Sequence, residues 1–154
     1  VQTLRQRKRR YDKPFALMAR DLSIIEHYCD ITPEEQKLLE SPAAPIVLLR
    51  LKPPGFVSEA VAPGMSTLGF MLPYTPLHHL MLRRMNRPIV LTSGNLSDEP
   101  QCIDNDEARE KLGTIADFFL LHDRAIVNRV DDSVVRVVEG QTQILRRARG
   151  YAPA

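Results

Sequence analysis

The chain has 154 residues, 44% of them hydrophobic and 26% charged, and a net charge of +2. That length carries one domain, residues 1–154, with a real core and is too short for two; the composition excludes a disordered or fibrous chain. No apolar run approaches the roughly 20 residues that span a bilayer, and the basic, polar start lacks the apolar segment of a signal peptide, so a cytoplasmic protein without membrane contact is expected.

The two cysteines, Cys29 and Cys102, are far apart and form no CxxC pair. Neither a disulfide framework nor a zinc site is expected, and both read as inert thiols. The charge is unevenly spread. Residues 1–13 hold six Lys/Arg and one Asp, and residues 136–154 hold four Arg and one Glu, which leaves the segment between them about six units negative. A basic surface on an acidic body points to a localised anion site rather than a general polyanion coat.

In chain order, Val1-Gln2-Thr3-Leu4 reads as the late part of a helix, and a start without Met reads as a piece of a longer polypeptide. The cluster Arg5, Arg7, Lys8, Arg9, Arg10 and Lys13 follows. Phe15 to Ala19, bounded by Pro14 and Arg20-Asp21, suits a buried strand. Thr32-Pro33-Glu34-Glu35 predicts a capped helix with Thr32 as N-cap and Glu35 closing a capping box, ending near Ser41-Pro42. Pro45 to Leu51 is a nearly continuous apolar run, as in a strand covered on both faces, and Lys52-Pro53-Pro54-Gly55 breaks it. Thr67 to Pro73 is a further strand. Thr75-Pro76 repeats the N-cap and first-turn signature, and Leu77, Leu80, Met81 and Met85 predict an amphipathic helix over 76–86.

Pro88 to Thr92 reads as a strand that runs into the turn-forming Ser93-Gly94-Asn95-Leu96-Ser97. The C-terminal end of a strand is a favoured ligand position in α/β sheets. Asp104 and Glu107 predict a second capping box for a helix over 105–113. Phe118 to Leu121, Ala125 to Val127, Ser133 to Val138 and Gln143 to Arg147 read as short strands. Strands mixed with helices predict an α/β (α+β) fold, a mixed sheet with helices packed against it.

Several groups could carry chemistry. Lys8, Arg10 and Lys13 sit where a helix gives way to a strand, so their side chains can converge; Arg suits bidentate phosphate contact and Lys a point contact. Thr92, Ser93, Gly94 and Asn95 add hydroxyls, an amide and close backbone approach, or make a plain turn. Asp131-Asp132-Ser133 could hold a hydrated Mg²⁺ on phosphates, or pair with Arg124, Arg129 and Arg136. His122-Asp123 could orient an imidazole. His78 and His79 are adjacent on a helix, about 100° apart, which disfavours a shared metal ion, and no dedicated metal site is expected. No phosphate-binding glycine loop, dinucleotide fingerprint or nucleophile elbow is present.

The strings Lys8-Arg9-Arg10-Tyr11-Asp12-Lys13-Pro14-Phe15-Ala16-Leu17-Met18 and Thr92-Ser93-Gly94-Asn95-Leu96-Ser97 resemble the KxR and SxN motifs of YrdC-like domains. Met71-Leu72-Pro73-Tyr74-Thr75-Pro76-Leu77-His78-His79-Leu80, His122-Asp123-Arg124 through Arg129-Val130-Asp131-Asp132-Ser133-Val134-Val135-Arg136, and Leu145-Arg146-Arg147-Ala148-Arg149-Gly150-Tyr151-Ala152-Pro153 resemble the HypF branch, carbamoyltransferases of nickel–iron hydrogenase maturation. The resemblance covers essentially the whole chain. It implies a YrdC-like twisted mixed β-sheet that here lacks its N-terminal strand region.

It further implies ATP-dependent adenylation of carbamate, drawn from carbamoyl phosphate, to carbamoyl-adenylate, with Mg²⁺ and with HypE as eventual carbamoyl acceptor. On that resemblance Lys8 and Arg10 are the catalytic pair and Lys13 a further phosphate contact. Thr92, Ser93 and Asn95 bind the nucleotide, Arg146 or Arg147 closes the site, and Asp132 and Ser133 contact Mg²⁺ or phosphate. Two alternatives stand beside it. One is threonylcarbamoyl-adenylate synthesis for tRNA modification; the other is a double-stranded-RNA-binding module, for which a charge of +2 predicts weak, salt-dependent binding.

Overall fold

The computed structural model describes residues 1–53 and 57–153. Six strands form one mixed sheet: β1 (Ala16–Met18), β2 (Ile46–Arg50), β3 (Thr67–Met71), β4 (Ile89–Leu91), β5 (Val134–Val138) and β6 (Gln141–Arg146), in the order β4-β1-β3-β2-β5-β6. β1 runs parallel to β3 and β2 parallel to β5; the β1–β4, β2–β3 and β5–β6 pairs are antiparallel. Each of these strands lies where the apolar runs predict one. Residues 118–121 and 125–127 do not form strands. An apolar run supplies a side-chain face, but a strand also needs a neighbour's N–H and C=O groups, and these segments pair with none of the described strands. Phe118 there is 93% exposed.

Among the described residues five α-helices accompany the strands: α1 (Gln2–Lys8), α2 (Leu22–Ile25), α3 (Pro33–Leu39), α4 (Pro76–Leu82) and α5 (Asn105–Leu112). The α3 capping box forms as predicted: Thr32 Oγ1 accepts from the Glu35 N–H and the Glu35 carboxylate accepts from the Thr32 N–H. At α5 only half of the box forms. Asp104 accepts from the N–H groups of Asp106 and Glu107, while Glu107 reaches back to the Ile103 N–H instead of that of Asp104. The four-residue α2, capped by Asp21, is too short to show a period in the sequence. The break after β2 is seen to Pro53; Pro54 and Gly55 lie outside the described residues.

α4 departs from its prediction twice. It ends at Leu82, and Leu77, Leu80 and Met81 are exposed while Leu82 is fully buried against Met18, Ile46 and Met71. Seven residues make fewer than two turns, so one well-seated side chain, not a repeating stripe, decides which side meets the sheet.

The sheet's two faces are covered unequally. Leu17, Val47, Leu49, Leu68, Phe70 and Val135 face Ile24 and Ile25 of α2, Leu39 of α3 and Cys29 in the main core. Burial pushes the Cys29 thiol up to about 12, in keeping with an inert thiol. On the other face α4 covers Met18, Ile46 and Met71, and the rest stays open. β2 is therefore sealed on one side only, since Leu48 lines a cavity.

Candidate functional site

The open part of the second face is the floor of a cavity of about 560 Å³. Strand register shows why. Leu91, Ala16, Gly69 and Leu48 are direct partners across β4, β1, β3 and β2, so they form one row on one face, and all four line the cavity. Ile46, two residues from Leu48, and its partner Val134 extend this apolar floor. A more polar cavity adjoins it and shares Arg10, Ser93, Asp131 and Arg146.

The two basic ends of the chain meet where the cavities join. α1 stops at Lys8 because Arg9 turns into the left-handed region (φ 51), with its N–H on the Gln6 carbonyl. Arg5, 7% exposed, fixes the following turn by donating to the carbonyls of Arg10, Tyr11, Lys13, Ala60 and Val61. Arg10 then lies over the Phe15 ring at 5.0 Å and donates to the carbonyls of Lys13 and Pro14. From the other end, Arg146 closes β6 and donates to the Asp132 carbonyl. Among the described residues neither Arg10 nor Arg146 is paired with a carboxylate. Burial first, then the positive charges of Arg5 and Arg146, lowers the pKa of Arg10. Two guanidiniums close enough to act on each other and free of ion pairs among the described residues offer donors suited to an anion, although the carboxylate of Asp131 borders the same cavities.

Other predicted residues take different parts. Lys8 is 2% exposed, and its ammonium donates to the carbonyls of Ser93 (2.6 Å) and Asn95 (2.8 Å). Burial, with a smaller contribution from Arg10, pushes its pKa down to about 8. Ser93 Oγ donates to Asn95 Oδ1, and Asn95 Nδ2 donates to the Glu99 carbonyl. These three residues shape the turn as well as line the polar cavity. Thr92 lines the larger cavity, and Lys13 reaches Asp98 at 3.0 Å on the outer rim of the smaller one.

Four placements differ from the expected contacts. The Ser133 hydroxyl is fully buried, donating to the Arg149 carbonyl and accepting from the Ala148 N–H, so it holds the C-terminal turn. Asp132 Oδ1 is engaged by Arg149 Nη2 (2.9 Å) and Nε (3.2 Å), rather than by Arg124, Arg129 or Arg136. Arg147 donates to the Tyr151 carbonyl and lines neither cavity. His122 is exposed and makes no hydrogen bond with Asp123 among the described residues.

Sequence reasoning left out part of the wall. Arg149 stacks over Tyr74 at 3.6 Å, and His78 meets the Tyr74 ring edge-on at 4.6 Å. His78 Nδ1 is covered and without a hydrogen-bond partner, and burial lowers the pKa of that ring. Gly150, at φ +84, lets the C-terminal turn press on Ala43, where any Cβ would come within 2.6 Å of backbone. Arg149 thereby reaches the carbonyls of Ala43 and Ala44. Asp131 and Gln101, joined at 2.6 Å, complete the rim. The adjacent Asp131 and Asp132 were visible as a motif; their side-chain partners separate their roles. Asp131 borders both cavities, and Asp132 lines the larger one with its Oδ1 held in an ion pair by Arg149.

The chain matches known proteins along its length. The Sua5/YciO/YrdC family model, described as "Telomere recombination", matches residues 1–148. The carbamoyltransferase HypF of Rhodobacter capsulatus is 56% identical over 153 residues, 99% of this chain and 20% of that protein; the chain thus spans about a fifth of such relatives. The crystal structure of a full-length HypF in its phosphate- and nucleotide-bound form superimposes with a TM-score of 0.93 at 54% identity, covering 99% of this chain and 24% of that one. P. abyssi Sua5, complexed with L-threonine, superimposes with a TM-score of 0.76 at 19% identity, over 96% of this chain and 44% of that one, a likeness of fold. Among the described residues no helix is long and apolar enough to cross a membrane. The mixed sheet with its half-open face is therefore the fold of a known group: the chain belongs to the Sua5/YciO/YrdC family, and its sequence is similar throughout to part of the HypF carbamoyltransferases.

Proposed function

We propose that this chain is the nucleotide-binding, adenylate-forming part of a HypF-type carbamoyltransferase. The observation that carries this reading is the unpaired Arg10 and Arg146 at the junction of an apolar and a polar cavity. An ATP molecule has the same division, with a flat base at one end and phosphates at the other. Its α-phosphate sits between the two guanidiniums, and its β- and γ-phosphates extend into the polar cavity towards Lys13, Ser97 and the Ser93–Asn95 turn. A carbamate oxygen attacks the α-phosphorus, a P–O bond forms, the bond to the bridging oxygen breaks, and pyrophosphate leaves with that electron pair. Arg10 and Arg146 cancel charge on the reacting phosphate, which is the main demand of phosphoryl chemistry. Lys8 acts by holding the turn, and the carbamoyl group later passes to HypE.

Mg²⁺ fits this site on the chemistry of its donors. Asp131 is the carboxylate that borders both cavities, and one carboxylate together with phosphate oxygens is a usual Mg²⁺ environment. When bound with the nucleotide, the ion supplies further charge cancellation.

The identity near 55% to HypF proteins, against 19% to Sua5, favours carbamate over bicarbonate and threonine as the second substrate. Calorimetric titrations of Mg-ATP, L-threonine and double-stranded RNA at physiological salt test the reading. Saturable Mg-ATP binding, lost in R10A/R146A and unchanged by threonine, is expected. Threonine binding would favour the tRNA-modifying activity, and tight RNA binding with no nucleotide effect would favour an RNA module.

A further inference from the structure

Leu77, Leu80 and Met81 are 46%, 69% and 51% exposed, whereas Leu82 seats α4 on the sheet. Their spacing of i, i+3 and i+4 puts the three side chains on one side of the helix, within an arc of about 100°, and Arg84, one turn after Leu80, continues it. The helix therefore turns its apolar stripe away from the core. Single exposed leucines are ordinary, but three apolar side chains on one face form a patch. Arg83, Arg84 and Arg87 follow the stripe, all exposed, and none is paired with a carboxylate among the described residues. Residues 60–97 contain no Asp or Glu, so the segment holds no counter-charge of its own. The helix dipole acts only near the last turn, which reaches Arg83 and Arg84 but not Arg87.

We infer that the outer face of α4 is an interaction surface for another part of a HypF-type polypeptide, a part that presents apolar side chains rimmed by Asp or Glu. The inference goes beyond the nucleotide reading and uses neither cavity. Charge, length and size select the occupant. Three arginines without a counter-charge fit a carboxylate-bearing surface, since complementary charge fixes register and excludes wrong partners. A second copy of the same segment would bring three more arginines and no carboxylate. The chain spans 20% of the Rhodobacter capsulatus relative, so most of such a polypeptide lies outside it. One face of a seven-residue helix is far smaller than the roughly 800 Å² per partner of a free-standing interface. It is sufficient within one polypeptide, where the second surface is held at high effective concentration.

The test puts this chain in place of the matching 153 residues of R. capsulatus HypF and compares the chimera with the 154-residue chain. Leu80→Cys is reacted with a bulky maleimide in both, and the label at position 80 is read by peptide mass spectrometry, which keeps it apart from Cys29 and Cys102. Labelling should be about tenfold or more slower in the chimera, and R83E/R84E/R87E should restore most of the lost rate. Hydrogen exchange needs no substitution: the α4 amides should exchange more slowly in the chimera, and the matching helix of natural R. capsulatus HypF should be protected to the same degree. The inference is overturned if position 80 labels equally fast in both proteins, if charge reversal leaves the chimera's rate unchanged, or if α4 exchanges alike in the short chain and in both long proteins. Labelling of the short chain that slows as its own concentration rises, or when double-stranded RNA is added, would overturn it in favour of a second copy or of a nucleic acid. None of these readouts involves ATP, so the nucleotide reading stands or falls separately.

Discussion

On one face of the sheet Val47, Leu49, Phe70 and Val135 are sealed against α2 and α3, whereas on the other Ala16, Gly69 and Leu48 lie open beside α4. Phe70 and Gly69 are neighbours in β3 and point to opposite sides. The first face gains stability from removing large apolar groups from water. The second leaves apolar surface and two like charges uncovered, an arrangement that lowers stability unless a ligand completes it. Stability and binding should therefore respond separately to changes on the two sides.

The largest effect is expected on the sealed face. Phe70→Ala leaves a cavity at a fully buried position and should lower unfolding free energy by about 3–5 kcal/mol, read by urea denaturation. On the open side, R10A/R146A should weaken ATP by about 2–4 kcal/mol with only a small change in the unfolding midpoint, because charge-assisted phosphate contacts go while relief of a like-charge contact offsets the exposed hydrogen bonds to the Lys13, Pro14 and Asp132 carbonyls. A parallel fall in stability would show that these arginines hold the fold together.

Ser133→Ala probes the buried hydroxyl that holds the C-terminal turn. The variant strands the Ala148 N–H and loosens the turn that carries Arg146 and Arg149, and a loss of about 1–3 kcal/mol in denaturation is expected.

A further effect is a pH dependence. Lys8 titrates at about 8 when folded and at its ordinary 10.5 when unfolded, so between those values the unfolded chain binds more protons. Stability relative to Lys8→Met should therefore climb as pH rises from about 8 towards 10.5 and stay level below 8. NMR titration of the Lys8 side chain should give the midpoint, and bound nucleotide should move it upward. A midpoint near 10.5 would show that the ammonium is not desolvated in the turn.

Sequence alone determined the strands with partners and the helices with strong caps. Thr32-Pro33-Glu34-Glu35 and Thr75-Pro76 satisfy their first turns from residues within the same few positions, and continuous apolar runs at 46–50 and 67–71 have few other uses. It also marked Arg10 and Arg146 as a meeting of two basic ends, through motifs rather than through geometry. Tertiary structure alone decided what those side chains touch. Register placed Ala16 beside Gly69 on the open face, and contacts with distant residues gave Asp132 to Arg149 and Asp131 to Gln101. The turn at Arg9 left Lys8 buried under Ser93 and Asn95 and Arg10 facing the cavities. The same distinction separates residues 118–121 from the true strands, since apolar character is local while a hydrogen-bonded neighbour is supplied by distant chain. Capping and periodicity act within a few residues; a binding site is made of contacts between segments up to 136 positions apart, and those are set only when the sheet assembles.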